Sequence, residues 1–333
     1  MSHGIKRNRE SPDVILARRR RELDKVVHYN LLSDKVLAHK QDKDWSFAAL
    51  DLTKELLAFN PEFYTVWNYR RDILLNGVFP TKTLKEINDL LSADLSMTMS
   101  ALRQHPKVYW IWNHRRWCLE HVPNGPDEHP DGWRKSNWAK ELYVVEKMLD
   151  ADARNFLAWD YRRYVLASLP TPNPPMHELA YTARKIESNF SNFSAWHQRS
   201  KVYTVIWECA EENDRIRAKN EEFELIKQAI YTDPGDQSVW LYHRWLVGSG
   251  DSQELLEREI RVIQELLEIE PDSKWCLNTL VHYKSLLLQH YYSDSIVHDC
   301  LDMLTKLEKL DSFRKERYRE SAQELLKKRT FGL

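Results

Sequence analysis

Apolar positions along the chain recur with helical period. LDLTKELLAFN (50–60) places Leu50, Leu52, Leu56, Leu57 and Phe59 near one face, and ELYVVEKML (141–149) and LLEREIRVIQELLEI (255–269) repeat the pattern. No segment stands out with the strict alternation of a half-buried strand. The helical runs are punctuated regularly. Ser11-Pro12 has the form of a cap followed by proline at the first helical position. Asn60-Pro61, His105-Pro106, Asp233-Pro234 and Glu270-Pro271 each lie between two runs, where proline ends one helix and opens the next. The irregular stretches PNGPDEHPDG (123–132), PTPNPP (170–175) and GSGD (248–251) are too short to separate domains. The pattern predicts an all-α chain folded as a single domain over 1–333.

A second periodicity overlies the first. WNYRR at 67–71 returns as WNHRR at 112–116 and WDYRR at 159–163, with weaker copies WHQRS at 196–200 and WLYHR at 240–244. The tryptophans Trp67, Trp112, Trp159, Trp196 and Trp240 are 37 to 47 residues apart, the spacing of stacked helical hairpins. Six residues before each lies Pro61, Pro106, Ala153, Phe190 or Pro234, and a degenerate sixth unit surrounds Pro271 and Trp275. Each unit reads as an amphipathic helix, a tight turn and a second helix carrying the tryptophan. One hairpin cannot bury its apolar face alone, so neighbours share a continuous core. The expected fold is a right-handed superhelical, crescent-shaped array of α-helical hairpins, an α–α solenoid. It has an N-terminal segment and first helix (1–44), repeats (45–290) and C-terminal helices (291–333).

Residues three and four positions after a helical tryptophan share its side of the helix. Arg70 and Arg71, Arg115 and Arg116, Arg162 and Arg163, then Arg199 and Arg244, are therefore expected to bind hairpin to hairpin. Their guanidinium groups can lie over aromatic faces or meet carbonyls and carboxylates of the next unit. Collecting them around an anion would require them to converge.

Composition removes several function classes. The chain has 333 residues, 42% of them hydrophobic, and a net charge of −1, which gives no general drive toward nucleic acid or a membrane surface. No apolar run is long enough to span a bilayer. Eight glycines leave no phosphate-cradling loop of the GxGxxG or GxxxxGK[ST] type. The four cysteines, Cys118, Cys209, Cys276 and Cys300, are isolated and read as reduced thiols of a cytoplasmic protein. His282, His290 and His298 recur every eight residues, which is not the spacing of one metal site, and read as helix-surface histidines. RRRR (18–21) lies within a helical run and reads as a solvated face, with a nuclear signal or acid-binding patch as the alternatives.

The WNYRR, WNHRR and WDYRR elements at this spacing resemble the protein prenyltransferase α-subunit repeat. The resemblance covers about residues 45–290. Within that family the short leader MSHGIKR resembles the Rab geranylgeranyltransferase (type II) subunit. The farnesyltransferase and type I geranylgeranyltransferase α subunit has a long proline-rich leader instead. The end of the chain soon after the helical array suggests a compact, fungal-type form. The resemblance implies an obligate β subunit holding the catalytic zinc and most of the lipid pocket. It implies geranylgeranyl diphosphate as substrate and, as acceptors, C-terminal cysteines of Rab GTPases presented by Rab escort protein. A metal site on this chain is not expected, apart from His3 as a regulatory ligand to the partner's zinc. The competing readings are the shared α subunit of farnesyltransferase and type I geranylgeranyltransferase, and a non-enzymatic helical-repeat scaffold.

The first turn of each second helix is the natural place for chemistry, because its unpaired N–H groups and dipole favour anions. Five residues before the tryptophans stand Glu62, Lys107, Arg154, Ser191 and Gly235, and only Lys107 and Arg154 bring positive charge. KVYWIW (107–112) matches the K-x-Y-x-x-W element whose lysine, in the family, contacts the isoprenoid diphosphate. Lys107 and Tyr109 are thus the catalytic candidates, with Arg154 a weaker diphosphate contact. The next repeat has Asn155-Phe156-Leu157 where related enzymes carry Asn-Tyr-His, so it lacks their hydroxyl and imidazole.

Overall fold

The computed structural model describes residues 11–126 and 128–331. Among them every regular element is helical. The chain divides into two compact units, one ending at Pro172 and the other beginning at Asn173. The first holds α1 (Pro12–Gln41), α2 (Phe47–Phe59), α3 (Tyr64–Ile73), α4 (Leu84–Gln104), α5 (Tyr109–Glu120), α6 (Gly132–Ala151) and α7 (Phe156–Ser168). The second holds α8 (Pro175–Ser188), α9 (Phe193–Cys209), α10 (Glu212–Thr232), α11 (Gln237–Val247), α12 (Gln253–Ile269), α13 (Lys274–Leu287), α14 (Asp294–Leu310) and α15 (Lys315–Phe331). From α2 onward, each even-numbered helix pairs with the odd-numbered one that follows it, and within each unit successive hairpins stack as in an α–α solenoid. Ser11 caps α1 in front of its first-turn proline, as its sequence suggests.

The hairpin turn is built by two local hydrogen bonds. The residue before the proline position carries a side-chain oxygen that accepts the amide two residues on: Asn60 from Glu62, Asp152 from Arg154, Asn189 from Ser191 and Asp233 from Gly235. These Asx turns close the loop without help from the core. The tryptophan then fastens the second helix to the turn. Its indole N–H donates to the carbonyl six residues earlier: Pro61, Pro106, Ala153, Phe190 and Pro234, at 2.7–3.1 Å. Its ring is buried in every case. In the sixth unit Leu277, six residues after Pro271, fills the equivalent buried place. Trp275 lies two residues earlier, so the sixth unit is degenerate in lacking a tryptophan at that place.

A buried ion-pair seam joins one hairpin to the next. Arg70 Nη1 donates back to the Leu50 carbonyl and Thr53 Oγ1, both at 2.9 Å, while Nε and Nη2 reach forward to Asp94 at 2.8 and 2.5 Å. Arg115 treats Leu95, Thr98 and Glu141 in the same way, and Arg199 treats Leu179, Thr182 and Glu222 likewise. The backward spacings to leucine and threonine are 20 and 17 residues in all three units. The acid also receives a hydrogen bond from its own hairpin's second helix, 20 residues later: His114 to Asp94, Gln198 to Glu178, Tyr242 to Glu222. Asp94 and Glu222 therefore each tie together three helices.

This separates the two arginines of the motif. Arg70, Arg115, Arg162 and Arg199, three residues after tryptophan, are the buried ones. Those one position further lie nearer solvent: Arg116 meets Asp160 at 3.0 Å and covers the Tyr164 ring at 4.3 Å, and Arg163 lies 3.5 Å from Asp160. In the fifth unit the buried place belongs to His243, which contacts Glu259 at 2.9 Å and Tyr283 at 2.8 Å. Arg244 is therefore the outer residue of its pair and not a seam residue. In the Arg162 unit Val145 occupies the threonine position.

Two stability outcomes follow. Trp112→Ala, which removes core area and the turn's indole bond, should cost about 3–5 kcal/mol in urea unfolding. Glu141→Gln leaves the buried Arg115 without its counter-charge and should cost about as much, roughly 3–5 kcal/mol. The joint change Arg115→Met with Glu141→Leu should cost clearly less than that single substitution.

Candidate functional site

In the first unit the helix starts form one exposed edge. Tyr64, Tyr109 and Phe156 open α3, α5 and α7, and each is about half exposed, at 48%, 54% and 55%. Tyr64 lies 4.3 Å from the Trp110 ring, and Tyr109 lies 6.2 Å from Phe156, so the rings run in series. The α3 and α5 starts have no side-chain cap; at α3 the Tyr64 and Val66 amides turn back to the Glu62 and Phe63 carbonyls. Asn155 caps α7.

Lys107 and Arg154 fall on this edge, and Asp152 links the Lys107 side chain to the Arg154 backbone amide. Lys107 Nζ lies 3.2 Å from Asp152 Oδ2, and Asp152 Oδ1 accepts the Arg154 amide at 3.1 Å. The Lys107 side chain is 60% exposed, so this ion pair adds little stability and gives way easily to a stronger anion. Asn155 donates from Nδ2 to the Pro106 carbonyl at 3.1 Å, which also receives the Trp112 indole. Buried Asn155 thus locks the Lys107 turn against the Arg154 turn. Lys107, Tyr109 and Arg154 form a cationic and phenolic patch beside uncapped amides, an arrangement suited to stabilising growing negative charge. Sequence reasoning missed Asp152 and Asn155. The signal for Asp152 was present as the side-chain acceptor that recurs just before most of the turns.

The described residues contain one buried cluster of metal-ligand type: Asp94, His114 and Cys118, with donor atoms within 4.8 Å of one another. It does not fit a metal. Arg70 holds both Asp94 oxygens, and Arg71 Nε approaches His114 Nδ1 at 3.3 Å. A dication there would face two guanidinium groups. Burial also pushes the Cys118 thiol well up, against thiolate formation. Arg71 can donate only to an unprotonated Nδ1, so the Nε2–H of neutral His114 donates to Asp94. Burial, opposed by Asp94, lowers the His114 pKa from 6.5 to about 4. Burial raises the Asp94 carboxyl, but the bonds from Arg70 and His114 outweigh it and hold the group below its ordinary range.

The remaining candidates fall as follows. His298 is an exposed helix-surface histidine near Asp302, whereas His290 contacts the Gly250 carbonyl at 2.7 Å. His282 is half-buried, so only part of that histidine series lies on the surface. Cys118, Cys276 and Cys300 are buried free thiols and Cys209 is an exposed one. Arg18 to Arg21 form an exposed stretch of α1. No described helix is long and apolar enough to cross a membrane. His3 lies outside the described residues.

The protein prenyltransferase alpha subunit repeat matches residues 47–77, 91–122, 138–169, 175–205 and 219–249, that is, five of the hairpins. A solved structure, Candida albicans protein geranylgeranyltransferase-I complexed with GGPP, shares the fold with a TM-score of 0.70 at 22% identity, covering 90% of each chain. The hairpin architecture is thus that of prenyltransferase α subunits. The geranylgeranyl transferase type-2 subunit alpha of Schizosaccharomyces pombe is 40% identical over 95% of this chain and 96% of the relative. Its counterpart in Saccharomyces cerevisiae is 34% identical over 95% and 97%, and the human protein is 35% identical over 76% of this chain and 43% of the relative. The chain belongs to the family of geranylgeranyl transferase type-2 α subunits.

The His114 environment sets a pH dependence. Between pH 6.5 and about 4 the unfolded chain takes up a proton that folded His114 refuses. The unfolded state binds more protons there, so stability falls as pH is lowered across that window. Thermal melts from pH 7 to pH 4 should show this slope. His114→Gln, which copies Gln198 in the fourth unit, should flatten it.

Proposed function

We propose that this chain is the α subunit of a heterodimeric Rab geranylgeranyltransferase. It acts with a β subunit to transfer geranylgeranyl from its diphosphate to C-terminal cysteines of Rab GTPases presented by Rab escort protein. The reading rests on the type-2 relatives that match nearly end to end, and its site is carried by one observation. Lys107 and Tyr109 stand together at the uncapped start of α5, with only the exposed Asp152 as a placeholder anion. In the reaction the acceptor sulfur forms a bond to C1 of the lipid, the C1–O bond breaks, and diphosphate leaves with the electron pair. The zinc, assigned here to the β subunit, would favour the thiolate form of the acceptor. This chain contributes at the other end of the breaking bond. Lys107 exchanges Asp152 for the leaving diphosphate, Tyr109 donates its hydroxyl, and Arg154 adds longer-range charge. Burial of the supporting Trp112 and Asn155 keeps the two turns in register, so these donors are in place before charge develops.

The whole chain acts in this reading as one repeat domain of a cytoplasmic enzyme. His3, as a regulatory zinc ligand, is a subsidiary proposal. Deleting residues 1–6 should alter resting activity of the complex, and unchanged activity and zinc coordination would remove it. The shared α subunit of farnesyltransferase and type I geranylgeranyltransferase is the second reading, and a non-catalytic scaffold the third.

Lys107→Ala should leave assembly with the β subunit intact and slow geranylgeranyl transfer about 10- to 100-fold, below the ceiling for one donor because cations of the partner remain. The assay uses an escorted Rab and, in parallel, a free peptide ending in a C-a-a-X motif. Transfer to the escorted Rab with little to the peptide is expected. Efficient farnesylation of the peptide would select the second reading, and absence of any transfer in the complex would select the third. Normal turnover by the variant would remove Lys107 from the site.

A further inference from the structure

The outer arginine of the repeat usually has company. Arg116 Nη2 contacts Asp160, the residue directly after the next unit's tryptophan, at 3.0 Å. The equivalent pair in the second compact unit is Arg244 and Asn278, which directly follows Leu277. Asn278 offers a neutral amide there, as Asn113 does after Trp112, where Asp160 offers a carboxylate, and beside it the chain leaves a cavity of about 220 Å³. Arg244, Asn278, His282, Arg317 and Glu324 contribute to its walls. A neighbouring cavity of about 290 Å³ shares Arg244, Asn278 and Arg317 and adds Lys274 and Arg314.

The charge balance is positive. Asp311 is engaged, since its Oδ2 accepts both Arg314 at 2.8 Å and Tyr318 at 2.9 Å. Glu324 is the one carboxylate on the inner wall, and among the described residues neither Arg244 nor Arg317 has an ion-pair partner. Burial and then the Arg244 charge push His282 down to about 4, so at neutral pH it presents an uncharged ring with one N–H. Polar side chains of three helices thus line the cavity: half-buried Arg244 of α11, half-buried Asn278 and His282 of α13, and exposed Arg317 of α15. A half-buried cation without a counter-charge is unfavourable. Guanidinium forks match the oxygens of a tetrahedral oxyanion, and donors from three sides suit that shape better than a planar carboxylate.

We propose that the Arg244 cavity is a binding site for a phosphate group, carried by inorganic phosphate or by a phosphate monoester of a small molecule. The bound anion takes the place of the carboxylate that Asp160 supplies to Arg116. This inference does not depend on the transferase reading, because every residue involved lies in the second unit, whereas Lys107 and Tyr109 lie in the first.

The test is calorimetric titration of the purified protein, with its partner subunit where one co-purifies, at constant ionic strength. One arm uses inorganic phosphate and the other glycerol 3-phosphate, with chloride as the control anion. One saturable site per chain is expected, and the tighter of the two arms identifies the source. Arg244→Gln and Arg317→Gln should each weaken binding at least about tenfold. Asn278→Asp rebuilds the ion pair seen at Arg116, so it should fold at least as well as the parent and lose phosphate binding. Lys107→Ala should bind phosphate as the parent does. Absence of saturable binding overturns the proposal. So does parental affinity in folded Arg244→Gln or Asn278→Asp, and so does loss of binding in Lys107→Ala, which would place the anion at the first unit's helix edge.

Discussion

A guanidinium group buried between helices must find a counter-charge, and this constraint organises the chain. An arginine inside a protein is tolerated only with its donors satisfied and its charge opposed. Arg70, Arg115 and Arg199 meet both demands in the same manner. They reach back to a leucine carbonyl and a threonine in their own hairpin and forward to an acid in the next. A hairpin with this arginine is incomplete until its neighbour arrives. Apolar faces would let adjacent hairpins slide along each other, whereas a two-pronged guanidinium–carboxylate bond fixes one offset. The burial of tryptophan drives association, and the ion pair selects the register.

The same device has a consequence at the helix starts. Each tryptophan is pinned by its indole to its own turn and by its helix to the next acid, so the first residue of each second helix is placed from both ends. Lys107 and Tyr109 are themselves exposed, yet the backbone that carries them is held by buried Trp112, Asn155 and Arg115. An exposed patch on a surface edge thereby acquires the placement of a core. That is the placement which the proposed contact of Lys107 and Tyr109 with a leaving diphosphate requires.

The sequence displayed the helices, the hairpin repeat and the edge carrying Lys107, Tyr109 and Arg154, because all follow from local periodicity and from one conspicuous element. It concealed whatever depended on pairing between repeats. Asp94, Glu141, Glu178 and Glu222 look like ordinary surface acids in their helices, although each is buried. Their roles emerge only when each is counted against an arginine 23 to 26 residues away in one direction or a second-helix side chain 20 residues away in another. The inner and outer arginines were likewise indistinguishable as letters. Adjacent helical positions differ by a large rotation about the axis, enough to put Arg115 in the seam and Arg116 near solvent. The sixth unit shows the same limit, because Leu277 and not Trp275 takes the repeat's buried place. Residue type drew attention to the tryptophan, while distance from the proline marked the structural place.

Once the repeat has a physical rule, its exceptions become informative. Where Arg is replaced by His243, the acid Glu259 is retained and Tyr283 supplies the further bond, so the seam is rebuilt with different donors. Where threonine is replaced by Val145, a hydrogen-bonding position has become apolar with little change in shape. Both substitutions keep the space filled. At Asn278 the position is a neutral amide, as at Asn68 and Asn113, while the facing Arg244 has no ion-pair partner among the described residues and a cavity lies beside it. A structural repeat can absorb lost partners by repacking with apolar groups. Retaining the cation and the space together is the less stable choice for the isolated fold, and binding an anion is what turns that choice into a favourable one.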